Sequence, residues 1–371
     1  MNTKTTAWSS PSRYIQGAGI IKELYAYCEH LGKSAFILVT PSCRDLCPQI
    51  EKSYRMHNGD CHITECKVRG DGSEIDYYSD FCVADYIVGI GGGRITDLTK
   101  AIADRKKIPC VILPSAISTD APATSRSVLY HPDGSSYAIK YEKSPELIIV
   151  DSEIIFRSPL RFFVSGIGDA ITTKFESEAN ARNMRKNLVK GNYFPTYTGA
   201  AVANLCYAAL LEAGRDAVSG IRSGCHNKSV DRVIEAVVLM SGLGSENCGC
   251  GIAHAVGEGV ALVPTDKSSL HGEQVAFGLI CQFIAEGREA AFLYGLLEYY
   301  ADIGLPKTLK ELGIDVNEKN LEIIAGMAVS RACWKEALDV PVTDVGLVMD
   351  IIKRADAIGN ESESRKYKGR T

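Results

Sequence analysis

Thirteen cysteines and seven histidines give this 371-residue chain many side chains able to hold a metal. The cysteines do not follow a zinc-finger pattern. Cys43/Cys47 and Cys248/Cys250 have half-site spacing, but neither has a second pair at finger distance. The cysteine count is odd, and the polar start from Met1 to Pro11 lacks an apolar leader core. Both features predict reduced thiols in a cytoplasmic protein. A harder donor set lies in the second half. Asp169 stands in Ser-Gly-Ile-Gly-Asp-Ala, His254 in Gly-Ile-Ala-His-Ala-Val-Gly and His271 in Ser-Leu-His-Gly-Glu-Gln. One carboxylate and two imidazoles leave an open position on a divalent metal, as metal catalysis requires. Each also has an ordinary reading: Asp169 as the N-cap of a helix starting there, His254 as a satisfied core histidine. Spacing alone does not show that the three meet.

A second chemical signal is Val88-Gly-Ile-Gly-Gly-Gly-Arg-Ile-Thr-Asp97, which follows a strand-like run and opens a helical one. Consecutive glycines let the backbone approach a pyrophosphate, and the helix that follows offers free N–H groups and a positive dipole end. It is not the G-x-G-x-x-G fingerprint, and a tight strand-to-helix turn would also use glycine. Pro114-Ser-Ala-Ile-Ser-Thr-Asp-Ala-Pro122 follows another strand-like run, and its hydroxyls suit a phosphate or an amide.

The elements that must position these groups change character along the chain. Short apolar runs at 35–40, 86–90, 110–113 and 147–150 alternate with helical patterns at 20–31, 46–58 and 95–104. That alternation predicts a Rossmann-like α/β domain with a parallel sheet covered on both faces. The turn His131-Pro-Asp-Gly134 predicts a β-hairpin pairing 127–130 with 136–139. Beyond Ser158-Pro159 helical patterns dominate, at 169–181, 198–213, 228–242, 249–262 and 272–287. We place domains at 1–160 and 161–371, the second all-α. The uncharged run 191–211 reads as a loop entering a buried helix, not a membrane span, and the polar end 361–371 as frayed. Net charge is −4 with 23% charged residues, which argues against a nucleic-acid binder.

Five segments together carry a resemblance. They are Gly89-Ile-Gly-Gly-Gly-Arg-Ile-Thr-Asp97, Ser118-Thr-Asp-Ala-Pro122, Ser165-Gly-Ile-Gly-Asp-Ala170, Ala253-His-Ala255 and His271-Gly-Glu-Gln-Val-Ala-Phe-Gly278. In this order and spacing the chain resembles the glycerol dehydrogenases, a branch of the metal-dependent, iron-containing-type alcohol dehydrogenase superfamily. The resemblance implies a dehydroquinate synthase-like fold with the active site in the cleft between the two domains. It implies Asp169, His254 and His271 as ligands of one divalent metal, zinc ahead of iron. It implies NAD, with NADP open, against Gly91, Gly92, Gly93, Arg94, Asp97, Ser115, Ser118 and Thr119. Thr124, Arg126 and Tyr130 would lie toward the nicotinamide, and Asp120 would contact a small alcohol or carbonyl substrate. It also implies a homo-oligomer, octamer or smaller.

The pattern breaks in four places. Glu258 stands where a second histidine is usual, four residues after His254, so it becomes a candidate catalytic group or an added metal ligand. Arg126 replaces an apolar residue, either as a surface arginine or one ion-paired with a candidate partner in Glu258, or as a catalytic-site group binding a substrate anion. Lys174 replaces an aromatic. Pro41-Ser42-Cys43-Arg44 lacks the acid expected to hold the adenosine ribose, and Arg44 could meet a 2′-phosphate. The expected activity is NAD(P)- and metal-dependent alcohol oxidation or carbonyl reduction, with glycerol to dihydroxyacetone as the default. A carboxylate- or phosphate-bearing hydroxy/oxo substrate on Arg126 is the alternative, and a dehydroquinate synthase-like sugar-phosphate lyase the more distant one. Retention of all three metal-ligand candidates argues against a scaffold that has lost catalysis.

Overall fold

The computed structural model describes residues 5–68, 72–131, 136–339 and 341–368, with side chains in the last helix described to residue 362. Strands β1 (Arg13–Gly17), β2 (Ser34–Val39), β3 (Asp60–Glu65), β4 (Tyr86–Gly91), β5 (Cys110–Pro114) and β8 (Leu147–Asp151) form one sheet. Its order is β1-β8-β5-β4-β2-β3, and every pairing is parallel. All residues of β4, β5 and β8 are buried, which is why these strands are uninterrupted apolar runs in the sequence. The edge strands β1 and β3 were not anticipated. They are half-exposed and carry polar residues, so their pattern is weak. The expected hairpin is present as antiparallel β6 (Arg126–Tyr130) and β7 (Ser136–Lys140). Its turn, 132–135, lies outside the described residues.

The longer helices are α1 (Cys47–Met56), α2 (Ser73–Phe81), α3 (Gly93–Lys106), α4 (Leu160–Arg182), α5 (Tyr197–Ser223), α6 (Lys228–Glu235), α7 (Gly242–Cys248), α8 (Ile252–Ala261), α9 (His271–Ala285), α10 (Ala290–Ile303), α11 (Glu318–Ser330) and α12 (Val345–Lys368). A π-helical segment, Ala236–Ser241, joins α6 to α7. The 20–31 helix is instead a chain of short 3₁₀ and α turns. The end expected to fray is helical to Lys368, and 369–371 lie outside the described residues. The architecture is thus a parallel six-stranded α/β unit followed by a helical one.

Two apolar clusters fill the two faces of the sheet, one around Ile37, Val88 and Val111, the other around Phe36, Leu98 and Ile112. The helical core continues into the sheet through Ile148 and Val150, which pack in the same cluster as Phe163 and Ile167. That shared core fixes α4 against the sheet beside the loop that leaves β5. No described helix is long and apolar enough to cross a membrane.

Candidate metal centre and nucleotide cleft

Asp169 is not an N-cap. It lies in the interior of α4, which begins nine residues earlier at Leu160. Gly166 and Gly168 made this stretch look like a helix start, yet both are there for close packing. A Cβ at Gly166 would collide with the Ile117 carbonyl oxygen, and one at Gly168 would stand 2.5 Å from that of Gly272. A Cβ at Gly272 would in turn strike the Ser165 carbonyl, and one at Gly278 the Ala253 carbonyl. These glycines bring α4, α8 and α9 to near backbone contact. That approach delivers Asp169, His254 and His271 to one point.

The imidazole Nε2 atoms of His254 and His271 stand 3.4 and 3.6 Å from Asp169 Oδ1. Asp169 Oδ1 is buried and makes no hydrogen bond, while Oδ2 accepts from the Asp120 N–H at 3.1 Å. A buried carboxylate oxygen left without a donor is costly, and a bound cation would satisfy it. One ligand atom from each residue lies within 4.8 Å of the others, so the three fit a divalent metal. The His254 side chain is 12% exposed and that of His271 41%, so the open side of the group is at His271. Despite the burial that would raise it, the Asp169 carboxyl is held below its usual range by the two imidazoles. Burial lowers His271.

The supporting residues were largely missed. Glu176 accepts from the His254 N–H at 2.9 Å and pairs with its Nδ1 at 2.7 Å, leaving Nε2 toward Asp169. It is two helical turns after Asp169, on the same helix face, which was a readable signal. Glu273 receives a bidentate Arg161 at 2.6 and 2.7 Å and the Leu270 N–H at 2.8 Å, fixing the start of α9 where His271 sits. The Asp120 carboxylate accepts from Ser241 at 3.1 Å and Ser245 at 2.7 Å. Burial and the neighbouring Asp169 raise the Asp120 carboxyl above its ordinary value.

The glycine loop lies beside this group. Gly91 ends β4 opposite Pro114 of β5, and its carbonyl accepts from the Ser115 N–H at 2.9 Å. A Cβ on Gly92 would meet nothing within 4 Å, and one on Gly93 only Thr119 Oγ1 at 3.6 Å. Open space over the N-terminus of the 14-residue α3 fits a phosphate-bearing cofactor. Arg94 extends over the Tyr130 ring at 5.7 Å. Ser118 offers its carbonyl to Ser165 Oγ at 3.2 Å. Asp97 is pushed up to about 6 by burial, against the pull of Lys100. Lys100, also missed, is buried and donates to the Ala121 carbonyl at 2.5 Å, Thr124 Oγ1 at 3.2 Å and the Arg126 carbonyl at 3.0 Å. It ties the loop after β5 to β6, and it turns the Thr124 hydroxyl inward.

The departures resolve as follows. Glu258 pairs with Arg331 at 2.5 Å, not with Arg126, and belongs to neither potential metal-binding group among the described residues. Arg126 Nη2 instead donates to Cys250 Sγ at 3.4 Å. Lys174 pairs with Glu178 at 2.5 Å and lies over the Phe175 and Tyr207 rings. Arg44 pairs with Glu65 at the end of β3, so an acid does stand beside the end of β2, on the neighbouring strand. All thirteen cysteines are free.

The comparisons with known proteins point the same way. Residues 11–152 match the family model described as iron-containing alcohol dehydrogenase. The chain is 34% identical to the glycolaldehyde reductase of Halobacterium salinarum, covering 97% of this chain and 100% of that protein. It is 32% identical to the glycerol dehydrogenase of Thermotoga maritima, covering 94% and 96%. The crystal structure of a probable glycerol dehydrogenase from Sinorhizobium meliloti 1021 superposes with a TM-score of 0.89 at 33% identity, over 96% of this chain and 99% of that one.

Proposed function

Because the chain belongs to the iron-containing alcohol dehydrogenase family, we propose that it interconverts a small alcohol and its carbonyl compound with NAD(P) and one divalent metal. NAD is the first choice of cofactor, zinc the first choice of metal, and glycerol with dihydroxyacetone the reference pair. The observation that carries this reading is the convergence of Asp169, His254 and His271 around an orphaned carboxylate oxygen. A metal held there would supply Lewis acidity toward a substrate oxygen, and a nicotinamide nucleotide would exchange hydride with the carbinol carbon.

The chain's own residues prepare that chemistry. Glu176 sets the His254 tautomer and orientation. Glu273 and Arg161 hold the helix start that carries His271. Gly92 and Gly93 keep the N-terminus of α3 clear for a pyrophosphate. Asp120 is fixed by two serine hydroxyls beside Asp169, where its raised carboxyl can hold a proton or orient a second substrate hydroxyl. The proposed cofactor set also takes in Gly91, Arg94, Asp97, Ser115, Ser118 and Thr119, with Thr124, Arg126 and Tyr130 toward the nicotinamide, and the cofactor-binding half is 1–160. Assembly into an octamer or smaller oligomer is part of the proposal and rests on the resemblance.

The test is NADH formation at the nicotinamide absorbance band with purified, zinc-supplemented protein and a panel of polyols and aldehydes. Turnover that a chelator abolishes supports the reading. A sugar-phosphate reaction without net redox would replace it with the lyase alternative.

A further inference from the structure

We infer that the substrate of this site carries a carboxylate beside its reacting carbon and that Arg126 binds it: a short 2-hydroxy acid in one direction, the 2-oxo acid in the other. The inference rests on the reading of Asp169, His254 and His271 as the centre of hydride chemistry. Arg126 opens β6 directly opposite Lys140 of β7, so the two cations share one face of the hairpin. Lys140 is exposed, so the pair sets a positive local potential on this face that an anion meets favourably. Among the described residues no carboxylate lies within ion-pair distance of Arg126. Its one side-chain hydrogen bond goes to the Cys250 thiol, a weak acceptor.

The two carboxylates near it are committed elsewhere. Glu246 accepts from the Ser125 N–H at 3.3 Å and from the Ser125 hydroxyl. Asp120 Oδ2 accepts from Ser241 and Ser245. A half-buried guanidinium with most of its N–H fork unpaired is a recognition group for a planar anion.

Cys250 offers its sulfur within 4.8 Å of donor atoms of both His254 and Glu176, so Arg126, the thiol and the ligand candidate His254 belong to one neighbourhood. We place the carboxylate on the carbon next to the carbinol, the shortest substrate that presents both groups. The nearby Asp120 and Glu246 favour a singly charged carboxylate over a phosphate dianion. Asp120 and Glu246 already offset part of the Arg126 charge, so what a neutral polyol would leave unused is the N–H fork. With an oxidised nicotinamide nucleotide bound, the C2–H hydrogen would leave with its electron pair as hydride to that nucleotide. The hydroxyl proton would pass to solvent, C2 would become a ketone, and the carboxylate would be unchanged.

The experiment compares glycerol, both glycerate enantiomers, lactate, hydroxypyruvate and glycerol 3-phosphate as substrates of the zinc-loaded protein, and titrates glycerate calorimetrically. The best hydroxy acid is expected to exceed glycerol in kcat/KM by roughly a hundredfold. Arg126→Met should collapse that selectivity, mainly through KM, and weaken glycerate binding. Arg126→Lys should retain part of both, and Lys140→Met should lose less than Arg126→Met. If Arg126→Met does not fold, the two lysine-site comparisons decide. Glycerol matching every hydroxy acid, glycerol 3-phosphate outrunning glycerate, or selectivity surviving in the variants would overturn the inference. Absence of turnover with every compound sinks the hydride reading, and with it this role. Arg126-dependent binding of glycerate would then still identify an anion site, which separates the two failures.

Discussion

Replacing Glu176 with glutamine perturbs the metal centre without touching a metal ligand. The carboxylate makes two contacts with His254, at 2.9 Å to the backbone N–H and 2.7 Å to Nδ1. Glutamine keeps one acceptor oxygen and puts an NH₂ group where the other stood. One charge-assisted hydrogen bond is lost, worth about 1.5–3 kcal/mol. At about 1.4 kcal/mol per decade this weakens metal binding by roughly 10- to 100-fold, the usual range for such supporting groups. The assay is zinc competition against a fluorescent chelator, with the melting temperature of the metal-free protein measured in parallel. Zinc affinity should fall by that factor, and kcat/KM at subsaturating zinc should follow it. An affinity within about threefold of wild type, in a folded variant, would refute the claim that Glu176 orients His254.

Other perturbations follow from the same contacts. Gly166→Ala and Gly168→Ala should each destabilise the protein by about 1–3 kcal/mol in denaturant unfolding, because the new methyl groups meet backbone oxygens that have little room to move. Glu65→Gln frees Arg44 beside the expected ribose site and should raise the NADP-to-NAD ratio of kcat/KM by roughly two- to fivefold, read from initial rates with each cofactor. Asp97 has a folded value near 6, above its ordinary 3.8, so the native state holds this proton more tightly than the unfolded chain does. Its contribution to stability therefore falls as pH rises from about 4 to about 6. Asp97→Asn should remove that falling component from urea midpoints of the metal-free protein, and an identical pH profile would contradict the assignment.

The central strands were readable because each is dictated locally. A buried parallel strand must be apolar at every position, and β4, β5 and β8 are. The candidate triad of Asp169, His254 and His271 came from the resemblance that the motifs around them carry, since their spacing alone does not bring them together. What the sequence hid depended on distant partners. Gly166 and Gly168 suggested a helix boundary, whereas the reason for them is Ile117 and Gly272 pressing on the helix. Glu258 seemed free to reach the metal or Arg126, and its partner Arg331 lies 73 residues away. Cys250 has half-site spacing with Cys248, yet its sulfur faces Arg126 from the hairpin and lies near His254 and Glu176. Edge strands β1 and β3 fell below the threshold of pattern because half their surface faces water.

The central claim is that Asp169, His254 and His271 hold one catalytic metal. Its most direct test is to strip the protein with a chelator, add back zinc in steps, and follow bound metal and NADH production together. The account predicts one metal per chain, activity rising in proportion to occupancy, and loss of that binding in Asp169→Asn. Full activity in the metal-free protein, or undiminished stoichiometric zinc binding by Asp169→Asn, would contradict it.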